Sequence, residues 1–562
     1  MADFKFHEPV MVRRAFVGGS LAASSLAFLA ACGKKGGSSA AGSASGATSG
    51  STVNYYINNP VAIDPYDLEE DQGMQVGYQL FDALTTYDFD KGELTGLAAE
   101  SWDVNDAADE FTFHLVKGAK FHDGTTVTSK SFKQGWERIV SPKTSETHAS
   151  GIGYHLAMVQ GYSELSVGDA TELTGVTCPD DDTLVVKLIQ SYADFPYVCM
   201  HPALSPVPDC AMDDFDTFFF APVGNGPFKM DGKWEDGQEI NIVRFDDYSY
   251  GDPAIIDGVH FNIQKDVQTA YTEFQAGNLD VAQVPTTQLK DAISQYGESE
   301  DGSTVTPGHQ VLTGAELSVY YLMLNVTDET LKDVDVRKAI SLAINRQAIC
   351  DTVFEGTREP AGGIVPPGIA GYVGNSWEFS KYDPDAAKAL LDAKYPANAD
   401  GMRDINVALT YNLDGDHKAV MEMVMADLKA IGINATSNTA EWSSIVTNAY
   451  PNADFQIGRL GWIADYPIMD NFLYPLFATG ADNNYGKYSN PAVDEGISEA
   501  RAIADDKERE AKYQEVDKTI AADMPVVPLF FYKHQMVGSS RVKYLHIDPQ
   551  KLIMMDKVEL EA

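Results

Sequence analysis

Phe455–Leu473, FQIGRLGWIADYPIMDNFL, decides how this chain is read. A short apolar run bounded by turn-forming residues reads as a buried strand. Here the run ends in Gly461-Trp462-Ile463-Ala464, with Asp465 directly after it and Arg459 six residues before that acid. A carboxylate and a guanidinium at the two ends of one strand suit a ligand that carries both an amine and a carboxylate, because each end can form charge-assisted hydrogen bonds. A free peptide is such a ligand. Both residues also have plain structural readings, Asp465 as a helix N-cap or the partner of Arg459, and Arg459 as half of a structural ion pair.

Upstream, Leu97–Val140 gives a strand, a turn and a helix in succession. Phe111, Phe113 and Leu115 alternate with polar residues, Asp123-Gly124 marks a turn, and Thr128 is placed to cap a helix whose Phe132, Trp136, Ile139 and Val140 share one face. His122 beside Asp123 invites a catalytic reading, but no nucleophile or metal motif accompanies the pair and a turn accounts for it. Val53–Ile57 reads as a strand, followed by Asn58-Asn59-Pro60 and an acidic loop, Asp64–Asp71. Farther on, Tyr320–Asn325 is a strand, and Asp335 is expected to cap a helix with Val336, Ile340 and Ile344 on one stripe. Val420, Val424, Leu428 and Ile431 form another stripe, closed by Gly432 at the C′ position. Alternating strands and helices with long crossovers are consistent with α/β lobes.

Arg459–Tyr466 closely resembles the RxGWxADY signature of peptide-binding receptors that serve ATP-binding-cassette importers, and Leu97–Val140 resembles a second signature of the same peptide/nickel class. Ser205–Pro208 and Gly224–Phe228 resemble hinge-side segments, Phe274–Asp280 a helix end, and Asp523–Tyr532 a strand that returns to the first lobe. The likeness runs in order over about residues 53–540. It implies an α/β, type II periplasmic-binding-protein fold of three lobes with a hinged ligand cleft. Lobe I would comprise 53–86, 206–312 and 530–562, lobe II 87–205, and lobe III 313–529. It further implies a receptor for oligopeptides, working with the permease subunits of an importer as a monomer, without cofactor, metal or catalytic residues. Nickel complexes and oligosaccharides are ligands of other proteins with this fold and stay open as alternatives.

By the same resemblance Asp465 pairs with the peptide's α-ammonium and Arg459 holds a carboxylate. Gly461, Trp462 and Ile463 would offer backbone groups as to an added strand, which lets a receptor ignore side-chain identity. Trp462 and Trp442 would line side-chain pockets, with core packing open for Trp442, and His417 would be a second carboxylate contact or an exposed helix-start residue. Two positions depart from the pattern. His148 stands where a tyrosine near the ligand's N-terminus is usual, and the loop that meets the peptide backbone carries Glu69, Glu70 and Asp71. Ile463 also replaces a cysteine that is bridged in some members.

The N-terminus speaks for export. Arg13 and Arg14 precede an uncharged run, Ala15–Ala31, of signal-peptide length, and Leu29–Gly33 resembles a lipobox in which Cys32 would be diacylated, with residues 1–31 removed. Arg13-Arg14-Ala15-Phe16 partly matches a twin-arginine signal. Gly33–Thr52 lacks any large apolar residue and is expected to be a flexible tether spanning roughly 25 Å. The body would then stand at the outer face of a bacterial cell membrane, attached through the lipid alone. The 82 acidic against 41 basic residues, a formal charge of −41, argue against nucleic-acid binding. Four cysteines besides Cys32 have no zinc spacing, although Cys199 and Cys210 are candidates to pair. An anchored extracellular hydrolase is the rival class. No HExxH, no nucleophile elbow in the folded body and no P-loop support it, and Asp88–Gly92 lacks the distal glutamate of a calcium loop.

Overall fold

The computed structural model describes residues 51–561 apart from 146, 147, 149, 265, 414, 415 and 482, together with the side chains of that range except at 443 and 447. The leader, Cys32 and nearly all of the tether lie outside the described residues. Three larger sheets organise the body. A seven-stranded sheet joins Thr52–Ile57, Phe228–Met230, Glu239–Arg244, Gly258–Ile263, Val281–Gln283, Val311–Leu312 and Met536–Gly538. A four-stranded sheet is local in sequence, Ala99–Val104, Glu110–Leu115, Val176–Asp180 and Thr183–Lys187. A six-stranded sheet takes Ala315–Leu324, Glu359–Pro360, Asn406–Tyr411, Asn434–Thr439, Ile457–Ile463 and Val526–Lys533.

Alternation decides which side chains are buried. Phe111, Phe113 and Leu115 point into one core with Phe132 and Trp136 of the helix Ser129–Val140, and Thr128 caps that helix as its sequence predicts. Val420, Val424, Leu428 and Ile431 are buried against the six-stranded sheet, and Gly432 at φ +85° ends their helix, His417–Ala430. The helix Val334–Ala343 starts earlier than expected. Its cap is Asp333, whose carboxylate accepts the Asp335 N–H.

Val526–Lys533 corrects a second expectation. It pairs antiparallel with Ala315–Leu324 inside the six-stranded sheet, so the chain returns to the seven-stranded sheet only at Met536, and a boundary at residue 530 would cut the strand. Two short connections therefore cross between these sheets, Thr313-Gly314 and His534-Gln535, and the His534 N–H donates to the Gly314 carbonyl at 2.8 Å. Cys178, Cys199, Cys210 and Cys350 are all free thiols, so Cys199 and Cys210 do not pair. No helix among the described residues is long and apolar enough to cross a membrane.

Candidate functional site

The strand Ile457–Ile463 runs antiparallel to Ala315–Leu324 along its full length, but on its other side it pairs with Asn406–Tyr411 only at Ile457 and Gly458. From Arg459 onward that second edge has no strand beside it among the described residues. In an antiparallel ladder the backbone groups of alternate residues face the partner. The Ala464 N–H donates to the Leu317 carbonyl, so Leu460, Trp462 and Ala464 face the ladder, whereas Arg459, Gly461 and Ile463 face the open edge. The Tyr450 hydroxyl occupies the Arg459 carbonyl at 2.6 Å. The backbone groups of Gly461 and Ile463 on that edge pair with no strand among the described residues. Trp462, expected with them to offer backbone groups to a ligand, has its backbone in the ladder and uses its indole instead.

Two polar groups bracket the edge. At its end the Asp465 carboxylate is half-buried and held through one oxygen. Oδ2 accepts from Asn471 Nδ2 at 2.8 Å and from the Tyr154 hydroxyl at 3.2 Å, while Oδ1 takes neither bond. Asn471 is fully buried, and its Oδ1 accepts both the Asp465 N–H and the Trp462 indole N–H at 3.0 Å. Gln550 anchors the same turn by donating to the carbonyls of Ala464 and Asp465. Burial pushes the Asp465 carboxyl up to about 6 against the lowering effect of the Asn471 and Tyr154 bonds. No Lys, Arg or His among the described residues pairs with it within salt-bridge distance. It caps no helix either, since the next one begins at Asp470.

Arg459, at the other bracket, is 9 % exposed and has no carboxylate partner among the described residues. Its guanidinium donates through Nε and a terminal nitrogen to Asn412 Oδ1 and lies 4.1 Å over the Trp442 ring. Trp442 thus serves as a platform for the cation. Tyr320 stands near, stacked on Phe530, with its hydroxyl 3.3 Å from His417 Nδ1. A Cβ on Gly461 would stand 3.4 Å from the Tyr532 hydroxyl, an ordinary contact distance, so Tyr532 packs directly beside this part of the strand.

Other expected residues lie elsewhere or are engaged. His148 is exposed, with its ring 4.9 Å from Phe219 and 5.6 Å from Phe215, and the tyrosine that contacts Asp465 is Tyr154. Glu69 is exposed. Glu70 caps the helix Asp71–Leu80, where its carboxylate accepts the N–H groups of Gln72 and Gly73 and that of Val61. Asp71 pairs with Lys551 at 2.7 Å. Asp64 of the same loop is buried in a two-bond pair with Arg138. His122 is structural, with Nδ1 accepting the Gly224 N–H and Nε2 bonded to the Gly226 carbonyl, and burial drops it to about 4.

A family described as "Bacterial extracellular solute-binding proteins, family 5 Middle" matches residues 93–484. The periplasmic oligopeptide-binding protein OppA of Escherichia coli is 29% identical over 486 residues, 84% of this chain and 85% of OppA. The probable deoxycholate-binding periplasmic protein YgiS of the same organism is 28% identical over 484 residues, 84% of this chain and 86% of YgiS. The structure of Haemophilus influenzae OppA in complex with the peptide RPPGFSPFR superposes with a TM-score of 0.73 at 25% identity, covering 91% of this chain and 99% of that one.

Proposed function

Since the chain belongs to the bacterial extracellular solute-binding proteins, family 5, with their type II periplasmic-binding-protein fold, we propose that it is the oligopeptide receptor of an ATP-binding-cassette importer. One observation carries the ligand class: among the described residues, a strand edge at Gly461 and Ile463 with no paired strand lies between a carboxylate with an uncommitted oxygen and a guanidinium with no acid partner. A peptide laid antiparallel on that edge bonds backbone to backbone, puts its α-ammonium at Asp465 Oδ1 and directs its carboxylate toward Arg459 and His417. Arg459 and Asp465 are six residues apart at about 3.3 Å per residue, so the two side chains reach the ends of an extended peptide of roughly three to five residues.

The cleft in this reading lies between lobe I, on the seven-stranded sheet, and lobe III, on the six-stranded sheet, with lobe II contributing Tyr154. The Thr313-Gly314 and His534-Gln535 crossings supply the hinge. Cys32 carries the lipid anchor, the tether lets a monomeric body reach the permease, and transport energy comes from the partner ATPase. YgiS is a reminder that relatives of similar identity are named for a steroid ligand. Native mass spectrometry of the body from residue 50 onward, purified from cells, separates the two. Co-purified peptides of mixed sequence and restricted length support the proposal, and a retained non-peptide solute refutes the ligand class while leaving the receptor role.

A further inference from the structure

Beside Asp465 lie two buried histidines that the peptide reading does not use. One ring nitrogen of His155, one of His201 and a carboxylate oxygen of Asp465 all lie within 4.8 Å of one another. His155 is 4 % exposed and His201 1 %. Both ring nitrogens of His155 are buried with no hydrogen-bond partner among the described residues, although buried polar groups are nearly always satisfied. The His155 ring is fixed in place, its centroid 4.2 Å from that of Tyr154 and 4.5 Å from that of His201. Asn471 and Tyr154 fix the carboxylate.

Two imidazoles and one carboxylate, with a further position open to a water or ligand, are the donors that zinc and neighbouring first-row divalent ions accept. Magnesium and calcium prefer all-oxygen shells and are poor fits. Bond lengths of about 2.0–2.2 Å place tetrahedral donors roughly 3.4 Å apart, so the three side chains need to draw together by at most about 1.4 Å. His201 sets the main cost. Its Nδ1 accepts the Ala203 N–H at 3.2 Å, which leaves the proton of the neutral ring on Nε2, so the ring must turn off that amide to ligate. That bond is a single neutral one at the long end of the range, and metal coordination outweighs it.

We propose that His155, His201 and Asp465 form a binding site for one divalent cation of the zinc type, and that this cation competes with a ligand's α-ammonium for Asp465. The competition rests on the peptide reading above; the site does not. The three residues are far apart in the chain, and for that reason their spacing carries no metal motif.

The test is a calorimetric titration of zinc chloride into the purified chain in a non-chelating buffer, with bound metal counted by mass spectrometry after dialysis. His155→Ala, His155→Gln and His201→Ala are compared, and a thermal melt establishes that each is folded. One zinc per chain is expected, with affinity falling at least about tenfold in each histidine variant. No saturable binding, or binding that both His155 variants leave unchanged, overturns the site; a water bridging the three groups then accounts for their arrangement. A free-amine peptide should weaken zinc binding and its N-acetylated form should not. If zinc binds through the histidines and neither peptide affects it, the shared use of Asp465 is wrong. If no peptide binds at all, the peptide reading has failed and the zinc stoichiometry still decides the site.

Discussion

Asp465 has one oxygen satisfied by Asn471 and Tyr154, one oxygen uncommitted, and no cation beside it among the described residues. A half-buried carboxylate left in that state is prepared for a positive partner, and leaving the partner's charge buried and unpaired is costly. Asp465→Ala should therefore weaken a free-amine peptide by about 3–5 kcal/mol, read by calorimetry. Asn471→Ala should cost less, about 1–3 kcal/mol, because it removes the bonds that aim the carboxylate and leaves the charge. Equal losses in the two variants would mean that Asn471 touches the ligand itself. Asp465, Arg459 and Gly461 could be grouped from the sequence because one short stretch, the strand Ile457–Ile463 and the two residues after it, carries all three. Tyr154 and Asn412 were not, since each reaches the strand from a distant segment. Asn471 lies in the same stretch as Asp465, but its role depends on the chain folding back between Tyr466 and Asp470, which residue spacing does not encode.

Elements hold that residue geometry in place through buried charge. The helix Asp470–Phe477 begins with Asp470, fully buried, which takes two bonds from Arg501 at 2.9 and 2.7 Å and others from the hydroxyls of Tyr192 and Tyr513. Asp470→Ala leaves Arg501 buried and unpaired and should destabilise the fold by about 3–5 kcal/mol in denaturant titrations. Asp82, which follows the helix Asp71–Leu80, behaves differently. Burial pushes it up to about 7 from the ordinary 3.8, although the Tyr248 hydroxyl donates to it at 2.8 Å. The folded state therefore holds a proton that the unfolded chain releases near pH 4, and stability contributed by that proton is lost as pH rises toward 7. Asp82→Asn should match the wild type near pH 4 and exceed it by about 2–4 kcal/mol at pH 8. A constant offset between the two at all pH values would contradict this. Helices with an apolar stripe were readable because their period is local, as at Val420–Ile431. The assignment of Val526–Lys533 to the six-stranded sheet turns on where neighbouring strands lie, which no local pattern states; Asp333 and Asp335 are both local candidates for the cap, and the extended backbone at Asp333 decides between them.

At the scale of the molecule, two adjacent crossings join the seven-stranded and six-stranded sheets, so relative movement of the lobes needs backbone changes at very few residues. The order of motifs along the chain made the class of fold legible, whereas the open edge beside Gly461 and Ile463 could be seen only once Asn406–Tyr411 was found to leave the strand at Gly458. In the proposed function, a ligand that bonds to both the edge and Tyr154 would bridge two lobes and shift an open–closed equilibrium by its differential affinity for the closed state. The proposed peptide is held by its backbone and its α-ammonium. The direct test is calorimetric titration of the body with tri- to pentapeptides, each in free-amine and N-acetylated form. Free-amine peptides of unrelated sequence are expected to bind with similar affinities, and acetylation to weaken each at least about a hundredfold. Equal affinity for the acetylated peptides, or no binding by any peptide, would contradict the proposal.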